Sequence, residues 1–257
     1  MAKNGASMRA ELSDWETESL RVTAFPSASE TIGRPAWWAK VVGQEADIQA
    51  FRSRQGLSEE KGTWGPGTLS LAVQPFRIDW VLSPRDTELA ELPPSVGRFD
   101  QLRSEWAKLM ACWFGQDDCP KLVRLALGAV LLLPVPGLTQ GYEKLAAYLP
   151  NVRLDPGTSS DFLYQVNRAR NSRSGIAGLR INRLARWSVA TYIRGALSAA
   201  GPKISLAPGP PVFACRLELD VNTHQEFVGE LKAPQLDPVF LELLDLSAEI
   251  AEKGDIP

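Results

Sequence analysis

The sequence contains a single histidine, His224, and only three cysteines among its 257 residues. One imidazole cannot support a metal site that needs several histidines. The cysteines are Cys112, Cys119 and Cys215, and the first two lack the spacing of a zinc-binding pair. Three thiols cannot all pair within one chain, and no secretory signal precedes them, which indicates reduced cysteines in the cytoplasm. We therefore expect no metal and no disulfide framework.

Long apolar runs and nucleotide-binding motifs are missing as well. The most apolar stretch, residues 125–138, has 14 residues and includes two prolines, so it is too short to span a bilayer. Neither a phosphate-binding loop with its lysine nor a dinucleotide-binding glycine fingerprint occurs. The formal net charge of −2 and the isoelectric point near 5.6 lack the basic balance of many nucleic-acid-binding domains. The sequence thus predicts a cytoplasmic protein with no membrane partner and no cofactor, and it favours a binding protein over an enzyme.

The composition is that of a globular protein. Hydrophobic residues make up 44% of the chain, charged residues make up 23%, and eight residues are tryptophan. A chain of 28.2 kDa can bury a sizeable core. The first residues are small and polar, so we expect a loosely ordered segment over residues 1–18, followed by a single domain over residues 19–257.

Hydrophobic periodicity predicts an α+β fold with a broad antiparallel sheet and a few amphipathic helices. Residues 68–73 and 213–221 alternate between apolar and polar, which is typical of half-buried strands. Residues 99–114 repeat apolar side chains at three- and four-residue steps, as an amphipathic helix does. A last helix is predicted to begin with Asp237 as its N-cap and Pro238 in its first turn.

Two short motifs suggest that the domain consists of two related halves. Residues 77–80 and 216–219 both have the order arginine, apolar, acidic, apolar, and a long amphipathic helix follows each of them. The candidate halves are residues 19–118 and 119–257, each a unit of strands and helices.

Arginine is concentrated in one segment of the chain. Residues 164–194 contain seven arginines, no lysine and no acidic residue, and Gly175 and Gly178 separate two polar strands that predict a hairpin. The planar forked guanidinium matches phosphate and carboxylate oxygens better than an ammonium group does. We therefore expect this hairpin to face outward and to contact an anionic macromolecule. Nucleic acid and an acidic protein surface, including another subunit of a complex, are the two candidate partners.

The predicted binding residues come from the two strands of the hairpin. They are Arg168, Arg170, Arg180, Arg183 and Arg186, with Asn167 and Asn182 as hydrogen-bonding companions. Arg183 shares the parity of the apolar residues on its strand, so a bulge or an edge position would have to expose it. The alternative is that the arginines neutralise the protein's own carboxylates, such as Glu218, Asp220 or the acids of the last helix.

Two other functions are open. Trp37 and Trp38 are adjacent, so one of them is a candidate anchor of a protein–protein interface in a scaffold subunit. His224 follows a strand that carries Glu218 and Asp220, which together are a candidate site for a small ligand or for hydrolysis.

Overall fold

The computed structural model describes residues 9–28, 36–85, 93–193, 195–200 and 203–257, with the backbone alone at residues 53, 195–200 and 203–208. The strands are β1 (Glu16–Pro26), β2 (Ile48–Arg52), β3 (Leu57–Trp64), β4 (Gly67–Gln74), β5 (Arg77–Ser83), β6 (Leu122–Val135), β7 (Leu163–Asn167), β8 (Arg170–Asn171), β9 (Arg180–Tyr192), β10 (Gly195–Ala200), β11 (Lys203–Pro208) and β12 (Val212–Thr223). The helices are α1 (Trp37–Val42), α2 (Phe99–Phe114), α3 (Leu138–Tyr148) and α4 (Ala233–Lys253). Single turns of 3-10 helix lie at Leu12–Asp14 and Ser53–Gln55.

Ten of the strands form one sheet. Its order is β2-β3-β4-β5-β1-β6-β12-β9-β7, and β8 also pairs with β9. Every pairing is antiparallel. The strands β10 and β11 form a separate two-stranded ribbon. The predicted α+β class with a broad antiparallel sheet is confirmed.

The strand order is symmetric about the central pair of β1 and β6. Outward from this pair lie β5, β4, β3 and β2 on one side and β12, β9 and β7 on the other, so the two sides correspond over three strands. The motifs at residues 77–80 and 216–219 lie in β5 and β12, at corresponding places, and in both the arginine donates hydrogen bonds to the acid two residues later. A duplicated unit of strands and helices would produce this arrangement.

The helices pack on one face of the sheet, and the core lies between them. Alternation along β1 places Leu20, Val22 and Ala24 on this face with no exposed surface. Seven of the eight tryptophans lie in the core, each exposed by 1% or less. Among the described residues no helix covers the other face, which we call the open face. Antiparallel sheets commonly leave one face to solvent or to a partner.

Two boundaries differ from those expected from the sequence. The ordered body begins before residue 19, because Trp15 is fully buried and donates its indole N–H to the carbonyl of Ala251 at 3.0 Å. The last helix begins one turn earlier than predicted, with Lys232 as its N-cap and Pro234 in the first turn. Pro238 therefore lies inside α4. Either proline satisfies the rule for a first turn, so the rule alone could not choose between them.

Candidate functional site

Strand parity divides the predicted arginines between the two faces of the sheet. Arg180 and Arg186 lie on the open face of β9, whereas Arg183 lies on the helix-covered face and is 1% exposed. The expectation that a bulge or an edge exposes Arg183 is wrong. β9 pairs with β12 without interruption from Ile181 to Tyr192, so the two-residue period directs the Arg183 side chain into the core.

Arg183 belongs to a partly buried group of charges that holds the end of α4 and the residues after it, and within this group Arg183 and Asp255 are the buried members. Arg168 donates two hydrogen bonds of 2.8 Å to the carboxylate of Asp255. Arg170 donates from Nη1 to Oε2 of Glu249 at 2.9 Å, and Nη2 of Arg183 lies 3.6 Å from the same oxygen. We call Arg168, Arg170, Arg183, Glu249 and Asp255 the arginine cluster.

Each arginine of the arginine cluster has a carboxylate of the protein itself as a partner. Hydrogen bonds from Arg168 lower the pKa of Asp255 below its ordinary value and raise the pKa of Arg168. Burial lowers the pKa of Arg183, and the nearby charge of Arg170 adds to that effect. The expectation of an outward-facing ribbon without internal partners is therefore wrong for Arg168, Arg170 and Arg183. At these positions the alternative holds, since they neutralise the protein's own carboxylates.

The predicted asparagines form a row of hydrogen bonds across the open face. Asn167 donates from Nδ2 to Oδ1 of Asn182 at 3.0 Å, and Asn182 donates in turn to Oδ1 of Asn222 at 3.0 Å. Arg124 of β6 donates to the same oxygen of Asn222 at 2.8 Å. The row thus joins β7, β9, β12 and β6, and it couples the hairpin to the centre of the sheet.

Trp37 and Trp38 are not available as interface anchors, so that expectation is wrong. Trp37 is 1% exposed and packs edge-on against Trp113, with ring centroids 5.6 Å apart. Trp38 is fully buried and stacks on Trp80 at 6.3 Å. α1 lies in the angle between α2 and the sheet, and successive helical residues point about 100° apart, so both indoles reach the core.

His224 does not approach the acids proposed to act with it. It lies just beyond β12, and its Nδ1 accepts a hydrogen bond from the backbone N–H of Glu226 at 3.2 Å. At about 3.3 Å per residue, Asp220 lies roughly 13 Å away along the chain and Glu218 roughly 20 Å away. Direct proton transfer needs hydrogen-bond distance. Within the described ranges no group of three or more His, Cys, Asp or Glu residues could hold a metal ion.

A hollow lies on the open face, over the central strands of the sheet. The hollow has a volume of about 440 Å³, and its lining includes Val81 of β5 and Gln165 of β7. Five strand spacings separate these two strands, about 24 Å in a flat sheet. Because both residues line one hollow, the open face is concave. The volume lies within the range of about 300–1,000 Å³ that is typical of ligand sites.

The floor of the hollow is apolar or small, and its rim is charged with both signs. Gly128, Val130 and Leu184 contribute to the floor. On the rim, Arg186 lies 3.6 Å from Glu218 and hydrogen-bonds Gln165 at 3.0 Å, so its charge is partly matched. Glu218 also binds Arg216 on its own strand, and Arg216 lies 3.2 Å from Glu18.

Two charged side chains in the hollow lack an ionic partner. The exposed guanidinium of Arg21 lies over Gly128, where a Cβ would stand 3.3 Å from Nε and Nη2. The side chain of Arg21 makes no hydrogen bond or ion pair with any described residue. Asp220, beside Gly128 in the sheet, accepts a hydrogen bond from Asn222 at 2.9 Å but has no described cation within ion-pair distance. Arg21 and Asp220 are therefore able to bind groups from outside the chain.

Sequence reasoning missed Arg21, although a local signal existed. Arg21 alternates with Leu20 and Val22 in β1, so period-two parity places it on the face opposite the core. The signal was weak because Arg21 has no basic neighbour along the chain. Gly128 and Asp220 come from distant strands, and only the sheet register brings them beside Arg21.

Comparisons with known proteins give no further guide to this site. No family model, no curated protein and no solved structure matches the chain. No helix in the described part of the chain has the length and apolar character needed to cross a membrane.

Proposed function

We propose that the chain is a non-catalytic binding protein, acting as an adaptor or a subunit, whose open face receives an acidic group of a partner protein. The observation that carries this proposal is the free guanidinium of Arg21 inside a concave, helix-free face. An exposed arginine with no partner is ordinary on a convex surface. In a hollow with an apolar floor, however, a bound carboxylate loses competing water, and its hydrogen bonds to a guanidinium become stronger.

The charge pattern favours a protein partner over nucleic acid. Glu218 and Asp220 both line the hollow. A phosphate backbone would place negative charge against these carboxylates, whereas nucleic-acid sites neutralise phosphates with a surplus of Arg and Lys. A polypeptide can carry both an acid for Arg21 and a base for Asp220. Complementary pairs of this kind set specificity and register at protein interfaces.

The arginines of the hairpin have different roles in this proposal. Arg186 belongs to the rim of the hollow. Arg180 lies on the same face of β9, and its side chain makes no hydrogen bond or ion pair with a described residue. These two residues extend the positive side of the binding surface. Arg168, Arg170 and Arg183 stabilise the fold instead, because their partners are Asp255 and Glu249.

The test is a selection of short peptides from a display library on the full chain, followed by fluorescence anisotropy with the selected peptides. Arg21→Ala should weaken binding about tenfold, since a hydrogen bond to a charged group contributes about 1.5–3 kcal/mol and 1.4 kcal/mol is a factor of ten. Arg98→Ala is the matched control. Arg98 is a similarly exposed arginine, paired with Asp100 at the start of α2, and its loss should leave binding unchanged.

A second variant separates protein partners from nucleic acid. Asp220→Asn should weaken the selected peptides, because it removes the partner of their basic residue, and a labelled DNA duplex should bind poorly to every variant. Selected peptides that lack acidic residues, or an Arg21→Ala chain with unchanged affinity, would refute the proposal. A duplex that binds tightly, and more tightly after Asp220→Asn, would show that the face recognises phosphates instead.

A further inference from the structure

The strands beneath the hollow have no free backbone groups to offer a partner. Apart from Gln165 of β7, the residues that line the hollow belong to β5, β1, β6, β12 and β9, and each of these five strands pairs with a neighbour on both sides. Paired strands use their backbone N–H and carbonyl groups in the ladders of the sheet. A partner that lies on this face must therefore satisfy its own backbone hydrogen bonds.

An extended peptide does not meet this requirement over the apolar floor. Val130 and Leu184 have no hydrogen-bonding side-chain groups, so backbone groups pressed against them would lose water without gaining a partner. An α-helix pairs its backbone groups internally and presents only side chains. A helix is about 10–12 Å wide with its side chains, so a single helix fits within the roughly 24 Å between β5 and β7.

Gly128 marks the place where a partner can come closest to the sheet. It lies inside β6, where glycine is destabilising relative to alanine. Its φ angle is not in the left-handed region, so the backbone conformation does not require glycine there. Glycine inside a strand often marks the close approach of a ligand or of another backbone. Here the missing side chain leaves room on the floor for the guanidinium of Arg21.

We propose that the partner element bound in the hollow is an amphipathic α-helix with an acid and a base three or four residues apart; this rests on the proposed function of the open face. The guanidinium of Arg21 lies over Gly128, and Asp220 is paired with Gly128 in the next strand, so one strand spacing of about 4.8 Å separates the two positions. Helix residues three or four apart have Cβ atoms about 5–6 Å apart, which matches this spacing.

The test is the sequence pattern and the conformation of the peptides selected on the full chain. We expect the acid and the base three or four positions apart, and a gain of helicity on binding in far-UV circular dichroism. A hydrocarbon staple on the solvent-facing side should strengthen binding about tenfold, because it holds the peptide in its bound conformation. Proline in the middle of the peptide should weaken binding about a hundredfold, because it breaks a helix but leaves an extended chain intact.

Gly128→Ala tests the close approach of the partner and keeps the strand conformation. The added methyl group would stand 3.3 Å from Nε and Nη2 of Arg21, so it should displace the guanidinium from the floor and weaken the selected peptides about tenfold. The urea midpoint should stay the same or rise, which a purely structural role of Gly128 would not produce. Gly157→Ala is the matched control, because a Cβ there meets only Oδ1 of Asp155, at 3.6 Å, and peptide binding should be unchanged.

The outcomes separate this proposal from the function on which it rests. Peptides whose acid and base are two positions apart, the spacing of one face of an extended chain, would overturn the helical partner. So would peptides that bind without gaining helicity, or a Gly128→Ala chain that binds as well as the native chain. In each of these cases, loss of binding in Arg21→Ala would still support an acid-binding open face, whereas unchanged binding in Arg21→Ala would refute the proposed function itself.

Discussion

Replacing Arg183 with methionine should leave the free energy of unfolding unchanged or raise it by up to about 2 kcal/mol, although Arg183 forms an ion pair. The side chain is 1% exposed, and neither Nε nor Nη2 has a hydrogen-bond partner among the described residues. Its contacts are long: Nη1 lies 3.5 Å from the carbonyl oxygen of Ile256, and Nη2 lies 3.6 Å from Glu249. Each buried N–H without a partner costs about 1–3 kcal/mol.

Methionine removes this cost and the repulsion from Arg170, and it fills a similar volume. The change leaves no carboxylate unpaired, because Glu249 keeps Arg170 at 2.9 Å and Lys253 at 3.5 Å. Replacing buried ion pairs by apolar side chains is often neutral or stabilising for the same reason. In a chain of this size, 1 kcal/mol shifts the melting temperature by about 2–4 °C.

The assay is urea unfolding at neutral pH, with Arg168→Met as the contrasting variant. Arg168→Met leaves the buried carboxylate of Asp255 without its two charged hydrogen bonds, so it should cost about 2–4 kcal/mol. If Arg183→Met lost more than about 1 kcal/mol, the account of Arg183 as an under-satisfied buried cation would be wrong. Peptide binding should be unaffected by Arg183→Met, since the residue lies on the opposite side of the sheet.

Two further predictions concern titration. The Arg168 hydrogen bonds hold the pKa of Asp255 below its ordinary value of about 4, so the stability that Asp255 provides is complete above that pH and is lost as pH falls through the lowered pKa. In urea unfolding, the difference in stability between the native chain and Asp255→Asn should therefore shrink from neutral pH to pH ~2. An equal difference at the two pH values would contradict this. Burial raises the pKa of the half-buried Cys119 and of the fully buried Cys215 to about 12, whereas Cys112 is exposed. Iodoacetamide at pH ~8 should therefore label Cys112 quickly and the other two thiols only slowly until the chain unfolds, and rapid labelling of all three would contradict this.

Local periodicity was sufficient for most of the fold. One side of each element is buried, and this produces the strict alternation in β4 and β12 and the three- and four-residue repeat in α2. Such a repeat can be detected from residues that are neighbours in the sequence. The parity of Arg183 predicts an inward side chain, but the cost of burying a charge favours a bulge or an edge position that would expose it. Arg183 can be buried because the carboxylate of Glu249 lies close to it. Glu249 belongs to α4, far along the chain, so no local sequence pattern predicts this contact.

The candidate site could not be predicted from local sequence patterns either, because it too depends on contacts between distant parts of the chain. The sequence shows a dense run of arginines. In a strand, however, alternate side chains lie on the helix-covered face, where an arginine can pair with an acid of the protein itself. Arg21 stands alone in the sequence, and it becomes a binding residue because Gly128 offers no side chain beside it and because no described carboxylate reaches it. Whether a charge is free depends on what the register places next to it, and the register of a ten-stranded sheet is set by pairings across the whole chain.

Tyr148, at the end of α3, ties together residues from both outer parts of the chain. Its hydroxyl accepts a hydrogen bond from the backbone N–H of Ala10 at 2.9 Å, and its carbonyl accepts one from Asp255 at 2.9 Å. Residues 10 and 255 are thus close enough for a short linker to join them. A circularly permuted chain, opened in the loop between α2 and β6, would retain every strand pairing of the sheet and exchange the sequential order of its two sides.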